Sequence, residues 1–259
     1  MSGSRARRAA CAALVGGLVT GTAVLLPGSA AAIVGGEPAG DASGFVARID
    51  ITRTANSTYT CSGALVAPRL VLTAAHCVYS DRPGDWTLTF SSDPTPVETR
   101  QVDAIVPFSA AAGAGVDSSL DDLAVVRLDR AVARSPVPLD DGGSTLEQAR
   151  TDRRPVVEFG HGAGRADDVA RQAGQVVDGA ATFAGLRGGV LPLIRTSPAP
   201  SGGTVPTGFS EDGDSGGPLV AAGARGALVG ILSEGNGQTG TGWYTRDDRN
   251  RPYRAWLDA

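Results

Sequence analysis

The sequence has little cysteine, little histidine and no lysine, and these shortages exclude several classes of protein. Its three cysteines and two histidines show no metal-ligand spacing, so we expect neither a metal site nor a cofactor. The formal net charge of −4 argues against a nucleic-acid-binding protein, which would present a basic face. All 23 basic residues are arginine, which we interpret as compositional bias. A hydrophobic content of 42% excludes wholesale disorder.

A hydrophobic run strong enough to span a membrane is also missing. The most apolar segment, residues 9–26, is short and rich in alanine and glycine, which disfavours the alternative of a membrane anchor. Arginines precede this segment, proline and glycine at 27–28 end it, and Ala32 closes a run of small residues suited to cleavage. This layout predicts a secretory signal peptide over residues 1–32. We therefore expect a secreted, extracellular protein that has no membrane association after cleavage.

Cleavage at that point removes Cys11 and leaves Cys61 and Cys77. In an exported chain, an even pair of cysteines indicates a disulfide.

Aromatic residues are scarce at 5%, whereas glycine and proline are abundant at 36 and 16 residues. So many turn formers argue against an all-helical protein and favour short strands. Alternating or β-branched runs occur at 45–51, 70–73, 86–90, 102–106, 123–128, 156–159, 171–177, 190–196, 218–221, 228–232 and 243–245. This spacing predicts an all-β sandwich or barrel fold, with the segment 135–144 as the best linker between two halves. The spacing of Tyr253, Trp256 and Leu257 predicts a short C-terminal helix.

A candidate nucleophile lies in the sequence Gly213-Asp214-Ser215-Gly216-Gly217. A serine between glycines permits a tight turn that exposes its hydroxyl and directs backbone N–H groups at one point. An ordinary glycine-rich turn would look the same, and Gly-x-Ser-x-Gly also matches the nucleophile elbow of α/β-hydrolases. That elbow is excluded by chain order, because both histidines precede Ser215 and an α/β-hydrolase places its catalytic histidine afterwards.

Two other residues could complete a catalytic set with this serine. His76 follows the run Leu-Thr-Ala-Ala and precedes Cys77, and it is a candidate general base. Asp122 opens the apolar run Leu-Ala-Val-Val and could be carried into the interior to orient the imidazole. Each has a plainer interpretation, as a structural histidine and as a solvated acid at a strand start. The second histidine, His161, is expected to be a loop residue away from the catalytic motifs.

Taken in order, these motifs resemble the chymotrypsin/trypsin family of serine peptidases. The resemblance rests on Thr-Ala-Ala-His-Cys, Asp-Leu-Ala-Val-Val-Arg-Leu and Gly-Asp-Ser-Gly-Gly-Pro-Leu, together with Ile-Val-Gly-Gly at residues 33–36. It implies two packed six-stranded antiparallel β-barrels with a short C-terminal helix. The implied domain is 33–259, with an N-terminal barrel at about 33–135, a linker at about 135–144, a C-terminal barrel at about 145–248 and a helix at about 250–259.

The same resemblance implies a role for each matching residue. Ser215 would be the nucleophile, His76 the general base and Asp122 the residue that orients His76. The backbone N–H groups of Gly213 and Ser215 would form the oxyanion hole. The ammonium group of Ile33 would pair with Asp214 once the chain begins at Ile33. Protein or peptide substrates and a monomeric state are then expected, with no nucleic-acid partner.

The sequence says least about the pocket that would hold the substrate residue before the cut bond. The resemblance assigns it to Phe209, Ser210, Ser233, Glu234, Gly235 and Gly242. Phe209 stands where trypsin-like members have an aspartate, which favours an uncharged substrate side chain. Glu211, Asp212 or Glu234 could instead supply an acid for a basic one. A catalytically weak binding protein on this fold, and an esterase with the same triad, remain alternatives.

Overall fold

The computed structural model describes residues 32–78, 80, 82–92, 95–107, 122–162, 169–177, 194–198, 208–221, 226–237 and 239–247. The predicted signal peptide up to residue 31 and the predicted C-terminal helix lie outside these residues. Within them the fold is mostly β, as predicted. None of the helices in these ranges is long and apolar enough to cross a membrane.

The strands are β1 (Glu37–Pro38), β2 (Val46–Thr54), β3 (Ser57–Ala67), β4 (Leu70–Thr73), β5 (Trp86–Ser92), β6 (Thr95–Pro107), β7 (Ala124–Leu128), β8 (Val156–Gly160), β9 (Ala170–Val176), β10 (Ile194–Pro198), β11 (Pro218–Ala221), β12 (Ala227–Asn236) and β13 (Thr241–Arg246). The α-helix α1 spans Ser144–Thr151, and short 3-10 helices span Gly40–Ser43, Ala75–Cys77, Pro83–Asp85 and Asp141–Gly143.

The first half of the chain closes into an antiparallel barrel in the order β2-β3-β4-β7-β6-β5. Alternation in β2 places Ile49 and Ile51 inside this barrel, while Arg48 and Asp50 point outward and form an ion pair of 2.9 Å. Trp86 and Phe90, both fully buried on β5, fill the same interior. Hydrophobic alternation is therefore sufficient to explain which face of these strands is buried.

The second half forms a sheet in the order β1-β9-β10-β13-β12-β11-β8, and β8 also pairs with β9. That pairing joins six of the strands into a ring, with β1 attached at β9. Leu72 and Leu123 from the first barrel share one buried cluster with Leu228 and Ile231 from the second sheet. This shared core fixes one half against the other and so positions the site between them.

Strand β3 and helix α1 are the two longest elements that were not predicted from the sequence. Strand β3 pairs with both β2 and β4, and its small residues are buried on both faces, so it shows no alternation. Helix α1 has only eight residues, which is too short for a clear helical period. Its first turn is stabilised from outside the helix, since the Asp140 carboxylate accepts hydrogen bonds from the N–H groups of Thr145 and Leu146, both at 2.9 Å.

The segment predicted as a linker lies against both halves. Val137 donates a backbone hydrogen bond of 2.9 Å to Leu65 in the first barrel. Leu228 on β12 donates one to Pro138 and accepts one from Asp140. The chain between the two sheets is thus held by backbone bonds on either side.

Candidate active site

The loop that contains Ser215 depends on two glycines with positive φ. Gly213 has φ +96° and Gly216 has φ +82°, values that favour glycine. A Cβ on Gly216 would lie 2.1 Å from Thr73 Oγ1 and 2.3 Å from the Ser62 carbonyl oxygen. The loop therefore packs directly against β3 and β4, and only a residue without a side chain fits there.

Ser215 itself is half-buried and is joined to the first barrel through its backbone. Its carbonyl oxygen accepts a hydrogen bond of 2.7 Å from the N–H of Ser62. The same oxygen lies 3.8 Å from Sγ of Cys77, which is a van der Waals contact because a bridged cysteine has no S–H to donate. Since Cys77 follows His76, these contacts bring the serine loop beside the histidine.

The predicted disulfide between Cys61 and Cys77 is present. It joins β3 to the 3-10 turn that contains His76. Both cysteines are fully buried in the core of the first barrel. The bridge therefore ties the backbone next to His76 to the strand that carries Ser62.

His76 and Asp122 meet because β4 and β7 are neighbouring strands. Thr73 at the end of β4 pairs with Ala124 at the start of β7. Asp122 Oδ2 lies 2.7 Å from His76 Nδ1, and Asp122 Oδ1 accepts the His76 backbone N–H at 2.8 Å. Because a carboxylate can only accept, the neutral imidazole carries its proton on Nδ1. Nε2 then presents a lone pair, and it is buried with no hydrogen-bond partner among the described residues.

The Asp122 carboxylate is held in its charged form inside the protein. Its side chain is only 3% exposed, and burial alone would raise its pKa. The hydrogen bonds and electrostatic attraction from His76, together with the Ser233 hydroxyl that donates at 2.6 Å, outweigh burial and lower the pKa of Asp122 below its usual 3.8. Thr245 also donates to the Asp122 backbone carbonyl at 3.2 Å. These contacts fix the orientation of the carboxylate towards His76.

The predicted oxyanion hole consists of the backbone N–H groups of Gly213 and Ser215. Neither the N–H of Gly213 nor that of Ser215 donates a hydrogen bond to any residue that the structure describes. The Gly213 carbonyl is occupied, since it accepts the Ser62 hydroxyl at 2.9 Å. Among the described residues, the two N–H groups therefore have no competing acceptor.

Asp214 is a fully buried acid next to Ser215. Its oxygens accept N–H groups from Gly162 at 2.8 Å and Glu211 at 2.9 Å. Burial, followed by the charge of Glu158, raises the pKa of Asp214 well above its usual 3.8. A Cβ on Gly160 would lie 2.1 Å from Asp214 Oδ1, so this carboxylate requires a glycine beside it.

The chain around Ile33 enters the protein close to this acid. Ala32 and Ile33 are both fully buried, and a Cβ on Gly162 would lie 2.5 Å from the Ala32 carbonyl oxygen. Gly162 is also a donor to Asp214. Val34 and Phe209 exchange backbone hydrogen bonds of 3.0 and 3.1 Å. The predicted activation segment is thus paired with the first residue of the predicted pocket.

Several of the predicted pocket residues are close together. Gly235 on β12 pairs with Gly242 on β13, and a Cβ on Gly235 would lie 2.9 Å from Ser210 Cβ. The Phe209 ring leans over Gly237. A narrow cavity extends beneath them, lined by Glu158, Gln172, Ala173, Gly174, Thr196, Phe209, Ser210, Gly240 and Gly242.

Three of the predicted pocket residues, Ser233, Glu234 and Gly235, do not line this cavity. Ser233 directs its hydroxyl to Asp122. Glu234 is half-buried on β12, opposite Trp243.

Sequence reasoning assigned no site role to Ser62 or to Glu158. Ser62 donates its N–H to Ser215 and its hydroxyl to Gly213, and it accepts Thr73 Oγ1 at its own carbonyl. Glu158 belongs to β8, which was predicted as a strand, and its segment Glu158-Phe159-Gly160 resembles the family without indicating a role for the acid. Both residues acquire their neighbours from distant parts of the chain, so their roles could be found only in three dimensions.

His161 follows β8, as expected of a loop residue, but it is fully buried. Its backbone N–H donates to the Ser62 hydroxyl at 3.0 Å, so it lies closer to the site than expected. Burial, followed by the charge of Arg48, lowers the pKa of the His161 ring to about 4. A histidine with this pKa is neutral at physiological pH.

A closed six-stranded barrel packed on a second antiparallel sheet is the double-barrel architecture of chymotrypsin-like serine peptidases. The histidine, aspartate and serine motifs that the sequence shares with them lie where the two halves meet. The family model Trypsin matches residues 33–257, so the chain belongs to the trypsin family of serine peptidases. Members of this family are peptidases that act on proteins or peptides.

Proposed function

We propose that this protein is a secreted serine endopeptidase that hydrolyses peptide bonds through an acyl-enzyme on Ser215. The observation that carries the proposal is the buried pair of His76 and Asp122, with Nε2 of the imidazole unoccupied beside the serine loop. We also propose that the disulfide reflects export, that the protein is monomeric, and that it binds neither nucleic acid nor membranes.

In the proposed mechanism, the lone pair on His76 Nε2 accepts the proton of Ser215 as Oγ attacks the substrate carbonyl carbon. The N–H groups of Gly213 and Ser215 donate to the resulting oxyanion. The C–N bond then breaks as His76 returns the proton to the leaving amine, and the acyl group remains on Oγ. Water repeats both steps, which releases the acid and restores Ser215. Asp122 stays charged throughout and stabilises the imidazolium.

The proposed active form begins at Ile33, generated by signal cleavage alone. Its ammonium group would supply the cation that buried Asp214 lacks among the described residues. N-terminal sequencing of the secreted protein tests this step, and a mature start at any residue other than Ile33 would contradict it.

Replacing Asp214 by asparagine is expected to destabilise the processed enzyme by about 3–5 kcal/mol, because it leaves a buried ammonium without its partner. The free energy of unfolding, measured in a Ser215→Ala background that prevents self-digestion, checks this prediction. The matched control is Asp212→Asn, an exposed neighbour whose replacement should change stability by less than about 0.5 kcal/mol. Equal effects of the two variants would contradict the pairing.

The pH dependence of stability provides a second measurement of the same pair. Without a free Ile33, Asp214 has a raised pKa, so the folded chain binds a proton that the unfolded chain releases. Its stability should therefore fall as the pH rises above about 4, and Asp214→Asn should reduce that fall. In the processed chain, the ammonium favours the charged carboxylate, so the Asp214 contribution to this loss should disappear.

A serine-directed fluorophosphonate probe tests the proposed function itself. We expect the processed protein to be labelled at Ser215, as located by peptide mass, and to digest casein. The Ser215→Ala variant is the control and should show neither. No labelling of protein whose N-terminus is verified would favour a binding protein, and ester hydrolysis without casein digestion would favour an esterase.

A further inference from the structure

Ser62 holds the serine loop, residues 213–217, at two points. It is fully buried on β3. Its backbone N–H donates to the Ser215 carbonyl at 2.7 Å, and its hydroxyl donates to the Gly213 carbonyl at 2.9 Å. Gly213 and Ser215 are the two residues whose N–H groups form the predicted oxyanion hole. A single residue of the first barrel is therefore bonded to both of them.

The partners of the Ser62 hydroxyl fix the direction of its two hydrogen bonds. The backbone N–H of His161 lies 3.0 Å from Ser62 Oγ and can only donate, whereas the Gly213 carbonyl can only accept. The hydroxyl therefore accepts from His161 and directs its one proton at Gly213. This proton is thus committed to the serine loop.

Gly213 needs such a contact, because a glycine does not fix its own conformation. Its φ of +96° lies in a region that glycine occupies as readily as many others. An oxyanion-hole donor must lie about 2.7–3.1 Å from the oxyanion, so small rotations of the backbone change its effect. The hydrogen bond from Ser62 fixes the direction of the Gly213 carbonyl and so restricts rotation about the adjacent Cα–C bond.

The peptide unit between Gly213 and Asp214 has one other backbone contact among the described residues. The N–H of Asp214 donates to the Glu211 carbonyl at 3.0 Å, a contact within the same stretch of chain. The Ser62 hydroxyl therefore supplies the bond that ties this peptide unit to the first barrel.

The Ser62 hydroxyl is separate from the groups that would transfer protons. His76 and Asp122 bond to each other, and the second hydroxyl donor to Asp122 is Ser233. Ser215 is bonded to the backbone N–H of Ser62 and not to its hydroxyl. Removing the hydroxyl alone therefore leaves all of these contacts in place, which makes its own effect measurable.

We propose that Ser62 is a positioning residue for the oxyanion hole, acting through the hydrogen bond from its hydroxyl to the Gly213 carbonyl. This inference rests on the proposed function and adds a residue to it. Ser62 is fully buried, so it acts on the substrate only through Gly213. Because the oxyanion develops in the transition state, loss of the hydroxyl should lower kcat and leave KM unchanged.

The test measures peptide hydrolysis by Ser62→Ala, which removes the hydroxyl and keeps the backbone N–H. Fluorophosphonate labelling of Ser215, carried to completion, counts the active sites, so that kcat refers to folded and competent enzyme. We expect kcat per active site to fall by about 10- to 100-fold with KM changed by less than about 3-fold, because the donors are misplaced but not deleted. Ser62→Gly should give the same loss, which assigns the effect to the hydroxyl.

A peptide aldehyde gives a second measurement of the oxyanion hole. Ser215 Oγ adds to its carbonyl carbon, and the tetrahedral adduct places its oxygen in the hole as the transition state does. The Ki of the aldehyde should rise in Ser62→Ala by about the factor by which kcat/KM falls, because transition-state analogues share the interactions of the transition state. The Ki of the corresponding peptide alcohol, which forms no adduct, should stay unchanged.

Ser43→Ala is the matched control, because Ser43 is also a buried serine whose hydroxyl donates to a glycine carbonyl. It bonds to Gly40 at 2.7 Å within the 3-10 turn Gly40–Ser43, and it has no hydrogen bond to the serine loop. Both variants should lower the midpoint of thermal unfolding, measured with Ser215→Ala present, since each leaves a buried carbonyl without its donor. Only Ser62→Ala should lower kcat per active site.

Four results would overturn the inference. These are a kcat per active site in Ser62→Ala within about 3-fold of the wild type, an equal loss in Ser43→Ala, a loss confined to KM, or failure of Ser62→Ala to fold when Ser43→Ala folds. None of them would place the effect of the hydroxyl in the transition state. Each leaves the proposed peptidase standing if the wild type is labelled at Ser215, whereas a wild type that is not labelled would contradict both proposals.

Discussion

Replacing His76 by alanine is expected to lower kcat for peptide hydrolysis by about 10⁶-fold. The reason is that Nε2 of His76 is the proposed base for Ser215, and no other described histidine is available to replace it. His161 is fully buried beside Ser62, and burial, followed by the charge of Arg48, lowers its ring pKa to about 4. Peptide hydrolysis under saturating substrate measures the effect.

The matched control for this prediction is the double variant His76→Ala with Ser215→Ala. Residues that act as a unit give non-additive losses of activity. The kcat of the double variant should therefore lie within about 10-fold of the kcat of either single variant. Thermal unfolding of each protein should show that the barrel persists, because the disulfide next to His76 remains. A residual rate within about 100-fold of the wild type would show that His76 is not the base.

Replacing Asp122 by asparagine is expected to lower kcat by about 10⁴-fold. The carboxylate of Asp122 accepts both Nδ1–H and the backbone N–H of His76. An amide has one acceptor oxygen, so its NH₂ group would face one of these donors. If that group faces Nδ1, the imidazole proton moves to Nε2, which can no longer accept the proton of Ser215.

Ser233→Ala provides the graded control for Asp122→Asn. It removes one hydrogen bond of 2.6 Å to Asp122 Oδ2, the oxygen that also faces His76 Nδ1, but it leaves both contacts between Asp122 and His76. The loss of one hydrogen bond to a charged group corresponds to about 1.5–3 kcal/mol, so kcat should fall far less than in Asp122→Asn. Equal losses in the two variants would contradict a tautomer-setting role for Asp122.

The strands that could be predicted are those whose burial follows a local pattern. The alternating residues of β2 and the apolar run of β7 predict these two strands, because each strand faces a core on a regular set of positions. Strand β3 could not be predicted, since small residues buried on both faces leave no period in the sequence. The helix α1 is fixed by Asp140, a cap four residues upstream of its first residue, together with burial of Leu146 and Ala149.

The predicted catalytic residues and the unpredicted ones differ in how far their neighbours lie along the chain. His76, Asp122 and Ser215 each belong to a short motif whose flanking residues already indicate a role. Ser62 forms hydrogen bonds with Gly213 and Ser215, and Glu158 accepts one from Ser210. Hydrogen bonds between residues so far apart in the chain produce no pattern in the sequence around either residue.

By itself, the sequence determined the family, the all-β class, the disulfide and the candidates for the catalytic set. It could do so because glycine conformations, strand alternation and the residues flanking each motif are local properties. The tertiary structure alone decided that Ser62 fastens the serine loop to the first barrel, and that Glu158 lines the cavity beside Phe209 and Ser210. Both depend on which strands become neighbours, and that choice is made by the packing of whole sheets.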